Sequence, residues 1–154
     1  RPVVVARRPV SELAELPADQ RAGVLDRLAP EPWIRLTLPA DAPVLLVGGS
    51  TPLYVREPVV YHTTWDTSPM GRLMRSHPDD PPAWTRGLAD AGIRFVLINF
   101  AEVQRLTADG WYDPVVTPDA LGRWITPAGP GDGAPRLVRD WPELGVGLFE
   151  LPGE

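Results

Sequence analysis

The chain has 154 residues, no cysteine, and a formal net charge of −5. That length fits one domain able to bury about 68–70% of its unfolded surface, the missing thiols exclude disulfides and thiolate chemistry, and the mildly acidic balance argues against the basic face that nucleic acid requires. All 15 cationic residues are arginine, a composition expected of GC-rich coding, and no run approaches the roughly 20 apolar residues that span a bilayer. The chain opens at Arg1 without a methionine or a signal peptide, as expected of a segment or processed product of a longer polypeptide.

Residues 1–10 are β-rich but broken by Pro2 and Pro9, and read as an edge strand or a linker. Ser11 can cap a short helix carrying Leu13 and Leu16. A second helix is predicted over roughly 18–29, with Ala22, Val24, Leu25 and Leu28 on its apolar side and Pro30 and Pro32 ending it. Residues 33–38 suit a strand or a continued helix equally. Val44-Leu45-Leu46-Val47 is apolar without alternation, the pattern of a strand covered on both faces, and it stops at Gly48-Gly49.

Val59 to Thr63 reads as the next strand. Ser68 and Pro69 are the cap and first residue of a helix to about Arg75, with Met70, Leu73 and Met74 inward. After the break His77–Pro82, a helix over 83–91 ends at Gly92 and leads directly into a second apolar run over 94–99. Helix, glycine and apolar strand in that order form the αβ half of a crossover between parallel strands. Residues 101–107 read as a helix with Val103 and Leu106 inward, Gly110 as its stop, and 118–124 as a short helix. The Gly/Pro-rich stretch 127–135 is expected to be a flexible loop. Two short strands around Pro142–Gly145 make a terminal hairpin whose last strand joins the sheet antiparallel.

The expected fold is therefore a single α/β domain over 1–154, a three-layer, Rossmann-like mixed sheet with a parallel centre and the antiparallel hairpin at its edge. Strand 44–47 is expected at the centre, between 94–99 and 59–63, with a right-handed crossover through helix 83–91.

The residues name no reaction. The Gly48-Gly49 pair lacks both the dinucleotide fingerprint and the P-loop pattern, and Pro52 interrupts the helix either would need. What remains is the general rule that open α/β sheets bind ligands at the carboxyl ends of central strands. On that rule Ser50, Tyr54, Asp66, Asn99 and Glu102 are the candidate crevice residues. Asp66 can equally form an Asx turn toward Ser68, Asn99 can simply tie down the strand-to-helix junction, and Glu102 suits the positive end of the helix that follows. His62 and His77 are the only histidines, too few for a multi-histidine metal site. No GxSxG is present, and Asp79-Asp80 reads as a solvated pair. No catalytic residue, metal or cofactor is expected. Of the six tryptophans most should be core or loop anchors, while one or two at the surface would suit sugar stacking or a membrane interface.

The order of segments carries a resemblance. Leu38-Pro-Ala-Asp-Ala-Pro-Val-Leu-Leu-Val-Gly48 is followed by Leu53-Tyr54-Val55-Arg56-Glu57-Pro58-Val59-Val60-Tyr61, then by Trp65-Asp66-Thr67-Ser68-Pro69, then by Ala91-Gly92-Ile93-Arg94-Phe95-Val96-Leu97-Ile98-Asn99-Phe100-Ala101-Glu102. Over about residues 18–108, and more weakly at the hairpin, this resembles the C-terminal domain that follows the membrane helices of bacterial family-39-type glycosyltransferases. These are polytopic GT-C enzymes related to the protein mannosyltransferases. Trp65 stands where that family usually has phenylalanine and Arg94 where histidine is common, and residues 110–135 have no counterpart.

The resemblance implies an accessory domain on the extracytoplasmic (periplasmic) face of the bacterial inner membrane. Its partners would be the transmembrane part of the same polypeptide and a glycan or polyprenyl-linked substrate. The enzyme would use a polyprenyl-phosphate sugar donor, with its catalytic carboxylate in an extracytoplasmic loop between early membrane helices, a segment absent from this sequence. The alternative from the residues alone is a free-standing α/β small-ligand-binding or protein-interaction domain.

Overall fold

The computed structural model describes residues 15–49, 59–60, 68–126 and 133–153. Among them five strands form one open mixed sheet: β1 (Val44–Val47), β2 (Val59–Val60), β3 (Phe95–Asn99), β4 (Arg136–Trp141) and β5 (Val146–Glu150), in the order β2-β1-β3-β5-β4. β1 pairs parallel with both β2 and β3, with Val44 opposite Phe95 and Val47 opposite Ile98. β5 pairs antiparallel with β3 and with β4, so the hairpin supplies the far edge. The parallel centre and antiparallel hairpin are as expected, and β1 lies between the two predicted neighbours. The expected strand over 59–63 is described at 59–60 alone. The expected elements in 1–14 and most of the loop 127–135 lie outside the described residues.

The unbroken hydrophobicity of β1 and β3 follows from two cores, one on each face of the sheet. Leu45, Val47, Val96, Ile98 and Phe149 point into the larger core. There they meet α3 (Pro69–Ser76) through Met70 and Met74, and α4 (Pro81–Asp90) through Trp84 and Leu88. α5 (Phe100–Ala108) adds Val103, and α6 (Pro118–Ile125) adds Leu121 and Trp124. Val44, Leu46, Phe95, Leu97 and Leu148 point the other way, onto Trp141 and Ile34. Each strand residue is thus buried whichever face it takes, and a period-2 pattern has nothing to act on.

Helix boundaries follow their caps. The Ser68 hydroxyl accepts from the Gly71 amide at 2.8 Å, and the Asp80 carboxylate accepts from the Ala83 amide at 3.2 Å. Thr117 caps α6 through the Ala120 amide at 3.1 Å. Asp80 is thereby a helix cap as well as a surface acid, and Asp79 forms an exposed ion pair with Arg123.

Two expectations near the amino end are corrected. The open choice at 33–38 resolves as helix: α2 spans Pro30–Thr37. Pro30 does not stop a helix but opens one, because at N1 its missing N–H is an orphan donor in any case. The preceding helix α1 (Ala18–Leu25) ends well short of residue 29, and none of its residues is buried. Ala22 is exposed and Val24 and Leu25 are half-buried, so the predicted inward face belongs to Leu28, just beyond the helix. That end is held by side chains from the hairpin: Trp141 Nε1 donates to the Leu28 carbonyl at 2.9 Å, and Arg139 reaches the Asp26 carboxylate at 3.3 Å.

Candidate functional site

The place to look is where β1 and β3 end side by side. Gly48 takes φ = +79°, and a Cβ there would lie 2.7 Å from both the Asn99 carbonyl oxygen and Val103 Cγ2. The glycine is required because β1 runs out directly against the β3–α5 junction. Its conformation therefore answers a packing demand inside the fold, and the close approach is made by protein backbone. Among the described residues, nothing lies within 4 Å of a Cβ built on Gly49.

Of the candidate crevice residues, Asn99 and Glu102 fall among the described residues, whereas Ser50, Tyr54 and Asp66 do not. Asn99 is the N-cap of α5: its side-chain oxygen accepts from the Glu102 amide at 3.0 Å. Glu102 turns to Arg105, one turn along the helix, at 2.5 Å, and that hydrogen bond holds its carboxyl below the usual carboxylate range. Asn99 and Glu102 are therefore joined through the cap but do not converge as side chains on a common point. The alternative role for Asn99, tying down the strand-to-helix junction, is the one the geometry gives it. His77 is exposed at the end of α3, where its carbonyl accepts from Trp84 Nε1 at 2.8 Å.

The structure instead brings Tyr112 and Asp113 to this end of the sheet. The Gly48 amide donates to the Tyr112 hydroxyl at 3.0 Å, so the first amide beyond the central strand is satisfied by a side chain 64 residues away. Asp113 lies over α3. Its carboxylate takes two hydrogen bonds from Arg75, at 2.6 and 2.9 Å, and a third from the Val115 amide at 3.2 Å. A Cβ on Gly71 would fall 2.2 Å from Asp113 Oδ2, so the buried glycine is what lets this carboxylate reach the helix. One turn, 109–117, thus fastens β1 to α3. No motif announces it, and the sole sequence signal is Gly110 as the helix stop just ahead of an aromatic and an acid.

These contacts limit the chemistry. Burial pushes the Tyr112 phenol up to about 12, so it stays protonated at neutral pH and cannot serve as a base there. Asp113 is neutralised by a bidentate arginine, the geometry of an anchored pair. Among the described residues no group of three histidines, aspartates or glutamates is placed to hold a metal ion. A recess between α2 and β1, lined by Ile34, Leu38, Ala42 and Val44 among others, has space for about one water molecule. Also among the described residues, no helix is long and apolar enough to cross a membrane.

Comparison with protein-family models, with curated proteins and with solved structures gives no match.

Proposed function

We propose that this chain is a non-catalytic, extracytoplasmic accessory domain of a bacterial polytopic membrane glycosyltransferase of the GT-C, family-39 type. The membrane-embedded part of that enzyme would move a sugar from a polyprenyl-phosphate donor to an acceptor, with this domain on the acceptor side. The observation that carries the reading is the pairing of two of the segments quoted for the resemblance. Val44–Val47 and Phe95–Ile98 pair as parallel strands, and just beyond them Gly48 lies against the Asn99 carbonyl.

The described residues of these two stretches thus share one parallel pairing at the centre of the sheet. Parallel pairing of β2, β1 and β3, with apolar cores on both faces, supports the Rossmann-like, three-layer description in the same way. The non-catalytic role is supported by the employment of Asn99, Glu102, Tyr112 and Asp113 in caps, ion pairs and a strand-end hydrogen bond.

Reading the gene upstream of Arg1 tests this proposal. Eight or more apolar spans of about 20 residues in the same frame are expected. A start codon immediately ahead of Arg1 would refute it and leave a free-standing binding domain as the better description.

A further inference from the structure

Helices α4 and α5 end in the same hydrogen-bonded turn. At the end of α4, Gly92 (φ = +84°) donates to Ala89 and Ile93 donates to Leu88. At the end of α5, Gly110 (φ = +73°) donates to Thr107 and Trp111 donates to Leu106. Both are Schellman motifs, in which the residue after the glycine ordinarily turns its apolar side chain back onto the helix. Ile93 does so and is 5% exposed, whereas Trp111, in the equivalent position, is 59% exposed.

The motif therefore does not force the indole outward. Nor is the indole on a loose segment, since its own amide is bonded within the turn and its two successors are anchored to Gly48 and Arg75. The other tryptophans among the described residues are buried or half-buried.

We infer that Trp111 is a stacking platform for the ring of a neutral saccharide. An indole on an anchored backbone, with only two side-chain torsions to fix, offers a flat face at modest entropic cost on binding. The apolar C–H face of a pyranose needs one such ring, whereas a protein hot spot needs a surrounding apolar patch that excludes water. Close to Trp111 in sequence, Asp109, Gly110 and Pro114 are exposed and add no large apolar side chain. Leu137 and Leu144, the other large apolar side chains exposed among the described residues, belong to the terminal hairpin. The net charge of −5 opposes an anionic lipid surface or a nucleobase carried on phosphates. The choice of saccharide also rests on the glycosyltransferase reading above.

The test is fluorine NMR of the whole chain carrying 5-fluorotryptophan, with Trp111 assigned through Trp111→Phe and methyl glycosides of mannose, glucose and galactose as probes. The Trp111 resonance alone is expected to move, saturating with a dissociation constant on the order of 10 mM. Saturation transfer to the sugar should fall about fivefold or more in Trp111→Ala and persist in Trp111→Tyr. An unmoved Trp111 resonance, or undiminished transfer in folded Trp111→Ala, overturns the inference. So does a response to phosphatidylcholine or phosphatidylglycerol vesicles in place of sugar, or one that tracks protein concentration. Sugar binding at Trp111 in a gene without upstream membrane spans would sustain the platform and refute only the glycosyltransferase reading.

Discussion

The Tyr112 hydroxyl accepts the backbone amide of Gly48 at 3.0 Å, closing the end of the central strand with a side chain from the turn after α5. The phenol is 9% exposed and its ionisation is pushed up to about 12 by burial. The neutral form is the one that folds. The stability it contributes is therefore complete below the unfolded tyrosine value of about 10 and is lost as pH rises through about 12. Wild type should lose about 2–3 kcal/mol more than Tyr112→Phe between those two values, measured by urea unfolding at each pH. At neutral pH Tyr112→Phe should itself cost about 1–3 kcal/mol, because it leaves the buried Gly48 amide without this acceptor.

Gly48 and Gly49 should behave oppositely. Gly48→Ala places a Cβ 2.7 Å from the Asn99 carbonyl and Val103 in a left-handed backbone conformation. It is predicted to destabilise by about 2–4 kcal/mol. Gly49→Ala meets nothing within 4 Å among the described residues and should stay within about 0.5 kcal/mol of wild type. Equilibrium denaturation of the two variants side by side checks both.

That contrast marks what a sequence can disclose. The runs 44–47 and 94–99 were legible as buried strands because both faces of each are covered, which removes alternation. Ser68 and Gly92 were legible because caps and stops are local. Pro30 misled because the same residue ends one helix and opens another, and only the packing of Ile34 against the sheet decides between them. Ala22, Val24 and Leu25 suggested a packed face that α1 lacks. Tyr112 was not legible, since its partner is a backbone amide 64 positions away and backbone has no sequence signature. Of the candidate crevice, Asn99 and Glu102 were placed at the correct strand end, but their side chains are engaged locally.

Asn99 gives a direct test of cap against crevice. As a cap, Asn99→Ala should lower stability by about 1 kcal/mol, and Asn99→Asp or Asn99→Ser should keep most of it. Thermal or urea unfolding reads this. A ligand-contacting role would instead show as lost ligand binding, or lost glycosyl transfer by the longer enzyme proposed above, with all three variants equally stable.

In the larger core, Trp124 Nε1 donates to the Thr85 hydroxyl at 2.8 Å, and Thr85 is 4% exposed. Thr85→Val keeps the shape but strands the indole N–H. The expected cost is about 1–3 kcal/mol by urea unfolding, whereas Thr85→Ser should retain the bond and lose less.

The central claim is that this domain serves a membrane glycosyltransferase without performing the chemistry. The most direct measurement is sugar transfer from a polyprenyl-phosphate donor, assayed for the isolated 154-residue chain and for the longer polypeptide that the proposal calls for, with and without it. The account predicts no transfer by the isolated chain, transfer by the intact parent, and transfer reduced about tenfold or more when the domain is deleted. Transfer by the isolated chain, or a parent indifferent to the deletion, would contradict it.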